Sequence, residues 1–514
     1  MGVEQVKRII VLVLENRSFD HVFGYSGIRG HDAITGEPTA VDGLRGDETN
    51  ELRPGEAISV SPDAEWALPF DPHHEFPDVL AQLCGPDASL PEGGGYPPIS
   101  NQGFASRMAR ELQQKGRQER GSSVMRCFTP ERLPVLHALA NEFAVCDRWF
   151  SSLPGPTWPN RFFFHAASSA GLDASPERLR PVTALLDGYV FPNGTIYDRV
   201  DDAGRDWCVV EGDALPQALA IHGMNLKALD GKFITMDEFE RRLQRPVLNE
   251  SLIFIEPHYG HVLVDGSSFK CGNSEHPRDD ITRGEGLVQR VYEAIRASDH
   301  WDSSMLVIAY DEHGGFYDHV VPPAAPSPGD VGPDYGNNRH GFDFTQLGVR
   351  VPAVVISPLI PKNTIDHTTY DHSSVPATVG ALFGTPPLTE RDRHAENLLH
   401  LLSLSEPRAD TPLTLPRPAI SGLPDCDDHV HRLAGELMDV VDALSDEVDP
   451  ALVGFLHVAA RRDHQMAVGS GSADAAEGEH RRIHERVVNA TNRFHAARYI
   501  RDIQTRYDAW RSRG

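Results

Sequence analysis

The segment RIIVLVLENRSFDHVFG (8–24) joins an apolar run directly to an acidic and an amide residue. Residues 9–14 are six consecutive apolar residues, four of them β-branched. Such a run predicts a strand that is buried on both faces of a sheet. Glu15 and Asn16 would then lie at the carboxyl end of the strand, where ligands bind in open α/β sheets. A turn is the alternative, because Asn16 and Ser18 are good turn or helix-cap residues.

The same pattern recurs along the chain, with apolar runs that end in polar residues. These runs are 206–215, 251–261, 303–320 and 349–361. Because long stretches of helical patterning separate them, they predict a mostly parallel sheet sandwiched by helices. Three of the runs, counting the first, end in carboxylates: Glu15, Glu256 and the pair Asp311-Glu312. Such a concentration of negative charge at one sheet edge predicts a bound cation.

The charge and composition exclude several classes of partner. The formal net charge of −26 argues against nucleic acid and against electrostatic docking on anionic lipid. No apolar stretch approaches the ~18 residues of a membrane span, so we expect no transmembrane segment. The N-terminus also lacks the features of a signal peptide. The expected location is therefore the cytoplasm for the chain as written, or a secreted or periplasmic location for a trimmed chain.

The six cysteines are sparse for a chain of 514 residues, and none forms a C-x-x-C pair. They predict neither a zinc cluster nor a disulfide framework. We expect most of them to be small buried apolar residues. They are Cys84, Cys127, Cys146, Cys208, Cys271 and Cys426.

Three polar segments rich in Gly and Pro, 30–70, 85–101 and 322–345, predict long surface loops. Loops of this kind commonly carry specificity in enzymes.

The chain changes character after Cys426, and we expect residues 427–514 to form a helical C-terminal part without chemistry. Apolar residues at helical spacing predict an amphipathic helix over 433–448. A second helix is predicted over 451–460, a flexible linker over 469–479 and a final charged helix over 480–512.

The stretch WFSSLPGPTWPNRFFFHAASS (149–169) predicts a helix that begins near Thr157, since Pro is favoured in the first helical turn. Free backbone N–H groups at a helix N-terminus favour a bound anion, and phosphate above all. The Thr157 hydroxyl can be a helix cap. It can also be a nucleophile if a metal or base stabilises the alkoxide.

Histidines are abundant, at 25, and several stand beside acidic or turn residues. Each one taken alone is more often a surface or hydrogen-bonded histidine than a catalytic one. Their grouping near strand ends and in loops favours a shared site. They are His74, His276, His313, His319, His367 and His372.

Five short motifs occur in a fixed order between residues 15 and 374: ENRSFDHVFG, GPTWPNR, EHP, DEHGGFYDHV and DHTTYDHSS. Together they resemble the bacterial phosphoesterase family, which holds the non-specific phospholipases C and a branch of acid phosphatases. The resemblance covers roughly residues 5–425 and implies an alkaline-phosphatase-like α/β fold. It predicts a phosphoesterase domain over 1–426, with 427–514 as a helical extension.

The resemblance implies one divalent metal ion held with the nucleophile. Carried over by motif, the metal ligands are Glu15, Asn16, Asp311 and Glu312, together with Thr157, which is also the nucleophile. Oxygen ligands of this kind suit Ca²⁺, Mg²⁺ or Mn²⁺, and carboxylates also bind Zn²⁺. The sequence does not choose among these ions.

The resemblance also implies residues that act on the substrate. His276 and His74 are the candidates for protonating the departing oxygen, and His258 is a further substrate-binding candidate. Asn160 either donates to a phosphate oxygen or is simply a first-turn residue of the helix.

Trp158 and Trp149 flank the nucleophile in sequence. They either form an aromatic wall for a quaternary ammonium head group or pack the start of the helix. Packing is the commoner role of aromatic residues beside a helix start.

The predicted function is a metal-dependent phospholipase C type hydrolase that cleaves a phosphatidylcholine-like diester through a phosphothreonyl intermediate. The expected partner is a phosphate-ester substrate, with a phospholipid head group as one option. An acid-phosphatase-type phosphomonoesterase is the first alternative, although that branch typically has serine where this chain has Thr157. A non-catalytic, metal-stabilised binding protein is the second. A sulfatase fits less well, because its modified nucleophile requires cysteine or serine.

Overall fold

A ten-stranded sheet, with the strand order β3-β2-β12-β6-β11-β10-β1-β9-β7-β8, forms the centre of the molecule. The structure is a computed structural model that describes residues 2–114, 121–177, 182–260, 270–330, 336–424, 448, 450–469 and 476–512. The strands are β1 (Arg8–Leu14), β2 (Arg29–Asp32), β3 (Pro38–Ala40), β4 (Thr49–Arg53), β5 (Glu56–Ser59), β6 (Ala144–Cys146), β7 (Asp206–Glu211), β8 (Phe233–Thr235), β9 (Glu250–Glu256), β10 (Ser304–Tyr310), β11 (Ala353–Ile356) and β12 (Thr364–Asp366).

The middle of the sheet is parallel, as the sequence predicts. Strand β1 lies between β10 and β9, and it pairs in parallel with both. Strands β7 and β8 continue the parallel arrangement on the far side of β9. Every residue of β1, β9 and β10 is buried. The carboxyl ends of β1, β7, β9 and β10 therefore meet at one edge of the sheet.

The other half of the sheet is more mixed than the sequence predicts. The run 349–361 contains β11, which is antiparallel to both β10 and β6. The predicted loop 30–70 contains β3, β4 and β5, and β2 begins just before it. Strands β2 and β3 extend the main sheet beyond β12, while β4 and β5 form a separate hairpin. Whether such short segments form strands depends on their cross-strand partners, which local polarity does not reveal.

Fifteen helices are described around the sheets. They are α1 (Phe19–Phe23), α2 (Phe76–Cys84), α3 (Phe104–Gln114), α4 (Pro134–Glu142), α5 (Thr157–Ala166), α6 (Val182–Asp187), α7 (Ile196–Asp202), α8 (Met224–Leu229), α9 (Met236–Leu243), α10 (Ile281–Arg296), α11 (Ser374–Phe383), α12 (Glu390–His394), α13 (Pro450–Gly469), α14 (Ala476–Asn489) and α15 (Arg493–Arg511). Helix α5 begins at Thr157, as the sequence predicts. No helix among the described residues is both long and apolar enough to cross a bilayer.

The C-terminal helices differ in their bounds from the prediction. Helix α13 extends well beyond 451–460, and α14 begins inside the predicted linker 469–479. The single helix predicted over 480–512 is two helices, because the Asn492 side chain accepts a hydrogen bond from the His495 N–H and caps a new start. The helix predicted over 433–448 lies outside the described residues, apart from residue 448.

Helix α13 packs directly on helix α5. The Phe455 ring lies 5.1 Å from the Trp158 ring and 5.0 Å from the Tyr259 ring. Gly454 leaves room for the Trp158 indole, since a Cβ at that position would lie 1.9 Å from Trp158 Cε2. The C-terminal helices therefore contact the residue that follows Thr157.

The cysteines fit the sequence expectation in part. Cys127, Cys146 and Cys208 are buried free thiols, and Cys84 is partly buried. Cys271, by contrast, is disulfide-bonded. Cys271 is therefore an exception to the expectation that most of the cysteines are small buried apolar residues.

The close approach of Gly454 to Trp158 predicts that Gly454→Ala lowers the melting temperature. Inserting a methyl group into a packed contact costs about 1–3 kcal/mol. Gly478→Ala in α14 is the matched control, because a Cβ there meets no atom within 4 Å and a helical Gly→Ala change is neutral or stabilising. Equal melting temperatures for the two variants in differential scanning calorimetry would contradict the packing described here.

Candidate active site

Five buried carboxylates crowd the carboxyl edge of the parallel strands. Glu15 follows β1, Glu211 ends β7, Glu256 ends β9, and Asp311 and Glu312 follow β10. A buried carboxylate is costly unless positive charge or hydrogen-bond donors compensate it. The five carboxylates differ in which surrounding groups provide this compensation.

Glu211 is compensated by the C-terminal helices. Its Oε2 accepts a hydrogen bond from Arg462 Nη2 at 2.6 Å, and its Oε1 accepts one from the Tyr507 hydroxyl at 3.0 Å. Arg511 adds a second ion pair to Oε1. Glu211 therefore needs no further cation.

Glu256 is compensated by neutral donors. The backbone N–H groups of Gln217 and Ala218 donate to its two oxygens at 2.6 and 2.8 Å. The Tyr259 hydroxyl donates to Oε2 at 2.5 Å. Both carboxylate oxygens thus have direct partners.

Glu15, Asp311 and Glu312 share much less compensation. Arg161 donates from Nε to Asp311 Oδ2 at 3.0 Å, while its Nη2 lies 3.7 Å from Glu15 Oε1. Glu15 Oε2 and Glu312 Oε1 are buried and have no hydrogen-bond partner among the described residues. Burial raises the pKa of Glu15 and of Asp311, an effect that Arg161 opposes, and it raises the pKa of Glu312 to about 7. The cluster is therefore short of positive charge.

Asn16 joins this cluster to Thr157. Its backbone N–H donates to Asp311 Oδ1 at 3.0 Å, and its side-chain Oδ1 accepts from the Thr157 hydroxyl at 3.3 Å. The residue adopts a φ of 60°, in the left-handed region that asparagine tolerates. Gly314 packs against it so closely that a Cβ would lie 2.1 Å from the Asn16 carbonyl oxygen. The bend that follows β1 therefore forms part of the site.

Thr157 is the first residue of α5 and is buried. Its hydroxyl therefore lies beside the free N–H groups of the helix N-terminus, where anions bind. Asn160, one turn later, is directed elsewhere. Its Nδ2 donates to the Gly155 and Pro156 carbonyl oxygens at 2.9 and 3.0 Å, and its Oδ1 accepts from Leu153 N–H at 3.1 Å. Asn160 thus holds the loop that precedes Thr157.

His74 contacts two members of the cluster. Its Nε2 lies 3.2 Å from Asn16 Nδ2 and 3.7 Å from Glu312 Oε1, and its Nδ1 lies 2.6 Å from the Pro72 carbonyl oxygen. Although burial works against the charge, Glu312 and Asp71 raise the pKa of His74 to about 10. The contact with the Asn16 amide instead suits a neutral ring, whose Nε2 accepts. A cation at Glu312 would favour that neutral form.

His276 forms a pair with Asp71 that the sequence analysis missed. His276 Nε2 lies 3.3 Å from Asp71 Oδ2, and His276 is buried. Although burial works against the charge, His276 keeps the pKa of Asp71 below its usual range. A carboxylate that orients an imidazole in this way is a recurring feature of proton-transfer sites.

Three aromatic or histidine candidates from the sequence lie away from the Thr157 hydroxyl. Trp158 packs between α5 and α13, and Trp149 is fully buried, with its indole N–H donating to His372 Nδ1 at 3.1 Å. Both tryptophans are therefore core residues rather than an aromatic wall. His258 lines a separate cavity of about 570 Å³, whose described lining contains no member of the Thr157 cluster.

Four residues of the cluster's surroundings were not among the sequence candidates: Asp71, Arg161, Gln217 and Tyr259. Arg161 lies inside the GPTWPNR motif, so its closeness to Thr157 in sequence could have identified it as a site residue. Tyr259 lies in the apolar run 251–261 and Asp71 lies near His74, whereas Gln217 lies in a segment without a distinctive pattern. Only the folded chain shows that these three residues contact the cluster.

A second acidic group lies further along the segments that follow β1 and β10. Asp20, Asp318 and His319 have ligand atoms that all lie within 4.8 Å of one another. Arg350, however, donates to Asp20 Oδ1 at 2.9 Å and to Asp318 Oδ1 at 3.1 Å. His319 contacts Asp20 at 2.7 Å and Asp42 at 3.2 Å. The Asp20 and Asp318 carboxylates thus already have two cationic partners, Arg350 and His319. We interpret this group as a salt-bridge network.

The Thr157 cluster has less compensating charge than the salt-bridge network, and it offers the donor chemistry of a divalent-cation site. It offers oxygen atoms from Glu15, Asn16, Thr157, Asp311 and Glu312, a donor set that hard divalent ions prefer. Two of its carboxylate oxygens are buried without a hydrogen-bond partner among the described residues. This donor chemistry matches the ligand set that the sequence analysis expects, but it does not distinguish among Ca²⁺, Mg²⁺, Mn²⁺ and Zn²⁺.

Comparison with known proteins identifies the family. The model of the phosphoesterase family matches residues 6–386. Non-specific phospholipase C3 from Arabidopsis thaliana is 35% identical over 437 residues, which are 80% of this chain and 76% of the relative. Phospholipase C B from Mycobacterium tuberculosis is 28% identical over 450 residues, which are 82% of each chain. The phosphonate monoester hydrolase of Agrobacterium radiobacter aligns over 54% of this chain and 73% of its own, at 12% identity and a TM-score of 0.32.

The chain belongs to the phosphoesterase family. The resemblance inferred from the five motifs is thereby confirmed, and so is the prediction of a hydrolase that acts on phosphoric esters.

The salt-bridge network predicts a pH-dependent contribution to stability. Burial opposes charge on His319, but its hydrogen bonds to Asp20 and Asp42 raise its pKa to about 10. A group whose pKa is higher in the folded than in the unfolded protein stabilises the folded state. This stabilisation is complete below the unfolded pKa, about 6.5 for histidine, and is lost as the pH rises towards the folded pKa. The stability difference between wild type and His319→Gln should therefore be largest at pH 6 and shrink towards pH 10.

Urea denaturation at pH 6, 8 and 10 measures this difference. His222→Gln serves as the control, because His222 is exposed and bonds to a backbone carbonyl rather than to a carboxylate. A difference for His319→Gln that stays constant or grows with pH would contradict the network.

Proposed function

We propose that this protein is a metal-dependent phosphodiesterase of the phospholipase C type, with Thr157 as its nucleophile. The observation that carries the proposal is the contact between the Thr157 hydroxyl and Asn16, at the N-terminus of α5 and in a cluster where Glu15 and Glu312 each have one buried oxygen without a hydrogen-bond partner among the described residues. A hydroxyl at such a place lies where a phosphoryl group and a divalent cation would both be held. The names of the relatives, non-specific phospholipase C and phospholipase C B, favour a diester substrate.

The residues around Thr157 support binding of the phosphoryl group. The N-terminus of α5 offers free N–H groups to its oxygens. The Asn160 side chain fixes the 153–156 loop and thereby the position of Thr157. A bound divalent cation, held by Glu15, Asn16, Asp311, Glu312 and Thr157, would stabilise the Thr157 alkoxide and neutralise charge on the phosphoryl oxygens.

The proposed reaction proceeds in two displacements. Thr157 Oγ1 attacks phosphorus, the bond to the alcohol oxygen breaks, and a phosphothreonyl enzyme forms. Thr157 Oγ1 loses its proton to solvent in this step. Water then attacks the same phosphorus, gives one proton to the neutral His276 and releases the phosphorylated head group, while Thr157 Oγ1 takes up a proton from solvent. We assign the protonation of the departing oxygen to His276, whose Nε2 lies 3.3 Å from Asp71 Oδ2. His74 holds the Asn16 amide and, through it, the hydroxyl of the nucleophile.

Thr157→Ala tests the nucleophile. We expect kcat to fall by at least about a thousandfold, because loss of a nucleophile removes the covalent route entirely. Thr157→Ser should retain measurable turnover, since it keeps the hydroxyl. Thr378→Ala is the structural control, because Thr378 is also a buried threonine whose hydroxyl is hydrogen-bonded, but it lies in α11. Wild-type turnover by Thr157→Ala with native-like melting would contradict the assignment.

The substrate class is tested with two chromogenic esters and the metal restored. We expect p-nitrophenyl phosphorylcholine to be cleaved with a higher kcat/KM than p-nitrophenyl phosphate. A preference for the monoester would contradict the diester assignment and favour a phosphomonoesterase with the same nucleophile. Turnover of neither ester, with the metal bound, would favour the non-catalytic binding protein.

A further inference from the structure

A continuous series of buried hydrogen bonds joins Glu15 to Asp311, the two carboxylates that flank Arg161. We call the four side chains between them the brace. They are Arg161, Tyr259, Glu256 and Gln217. None of them is a metal ligand or a proton donor in the proposed reaction.

The first half of the brace starts at Asp311. Arg161 donates from Nε to Asp311 Oδ2 at 3.0 Å and from Nη1 to the Tyr259 hydroxyl oxygen at 2.9 Å. Its Nη2 donates to the Val13 and Leu14 carbonyl oxygens at 3.2 and 3.3 Å. The guanidinium is thus fixed to the end of β1, and its orientation sets that of Asp311.

The second half of the brace reaches Glu15. The Tyr259 hydroxyl donates to Glu256 Oε2 at 2.5 Å, and the Gln217 backbone N–H donates to the same oxygen at 2.6 Å. The Gln217 side-chain Nε2 then donates to Glu15 Oε1 at 3.3 Å. Each donor in the series has an acceptor, so the direction of every hydrogen bond is determined.

Burial shows how the brace can act. All four of its side chains are at most 2% exposed. They can therefore affect a bound ion or substrate only by orienting the residues that they contact. The Gln217 Oε1 atom is buried and has no hydrogen-bond partner among the described residues. Such an amide is a poor choice for stability alone, because an apolar side chain would avoid the unsatisfied oxygen. Its hydrogen bond to Glu15 is the feature that an apolar residue would lack.

Helix α13 supports the brace from the outer side. Phe455 packs on the Tyr259 ring at 5.0 Å, and Arg461 Nη2 donates to the Ile221 carbonyl oxygen at 2.8 Å. Ile221 directly follows the short 3₁₀ helix Gln217–Ala220. The same helix therefore holds both Tyr259 and the segment that carries Gln217.

We infer that Gln217 and Tyr259 are positioning residues that set the separation of the Glu15 and Asp311 carboxylates for a divalent cation. The inference rests on the metal site of the proposed function. Partners of this kind, which orient the ligands of a metal, typically change its affinity by about 10–100-fold when they are removed. Gln217 and Tyr259 should thus affect metal affinity more than they affect folding.

Isothermal titration calorimetry with Mn²⁺ on exhaustively chelated full-length protein tests this inference. We expect Gln217→Leu and Tyr259→Phe each to raise the apparent Mn²⁺ dissociation constant by about 10–100-fold. The double variant should show less than the product of the two effects, since both substitutions interrupt one series of bonds. Turnover of the double variant should recover at saturating Mn²⁺, which a purely structural defect would not allow.

Matched controls separate positioning from general destabilisation. Gln346→Leu removes a buried glutamine that donates to Pro322 and Pro323 carbonyl oxygens, and Tyr292→Phe removes a buried hydroxyl that donates to Pro412. Both controls should keep the wild-type Mn²⁺ affinity. Melting temperatures in chelator should be alike for each variant and its control.

Two results would overturn the inference. If wild type binds Mn²⁺ and the brace variants match their controls within twofold, the brace does not position the ligands, and the proposed function stands. If wild type binds no divalent cation while it still hydrolyses the diester, the proposed metal site and this inference fall together.

Discussion

The excess of negative charge at one sheet edge is the constraint on which the rest of the site depends. Strands β1, β9 and β10 are buried on both faces, so whatever follows them is delivered into the interior. Glu15, Asp311 and Glu312 arrive there with a single guanidinium group between two of them. Because isolated buried carboxylates cost several kcal/mol each, this edge requires either additional positive charge or protonation of its carboxyl groups. The divalent cation that we propose beside Thr157 would supply that charge and a catalytic function at once.

The contrast with the other acidic groups supports this view. Glu211 is paired with arginines of the C-terminal helices, and Glu256 accepts three direct hydrogen bonds. Asp20 and Asp318 share Arg350 and His319. In each of these groups the protein supplies the compensation itself. At Thr157 the described residues leave one oxygen of Glu15 and one of Glu312 without a hydrogen-bond partner, and the motifs of the phosphoesterase family converge there.

The sequence predicts those features that local pattern determines. Residues 9–14 predict a doubly buried strand, and the two prolines beside Thr157 predict a helix start, because apolar runs and proline act within a few residues. The carboxylates at the strand ends follow from the same local pattern. The short strands β2 to β5 could not be predicted, since their identity depends on partners that lie far away in sequence.

The local sequence pattern also does not predict the roles of individual side chains. Asn160 and Trp158 lie next to Thr157 in sequence, yet α5 turns them towards the preceding loop and towards α13. Gln217, Tyr259 and Asp71 lie far from the GPTWPNR motif in sequence, yet the folded chain places them beside Glu15, Arg161 and His276. The C-terminal part, expected to carry no chemistry, packs on both α5 and the brace. Which side chains support a site is thus decided by tertiary packing.

Anomalous diffraction from Mn²⁺-soaked crystals tests the proposed location of the cation. We expect one strong anomalous peak, surrounded by oxygen atoms of Glu15, Asn16, Thr157, Asp311 and Glu312. A peak between Asp20, Asp318 and His319, with none near Thr157, would contradict it. That result would mean that the salt-bridge network is the metal site and that the carboxylates beside Thr157 are stabilised in another way.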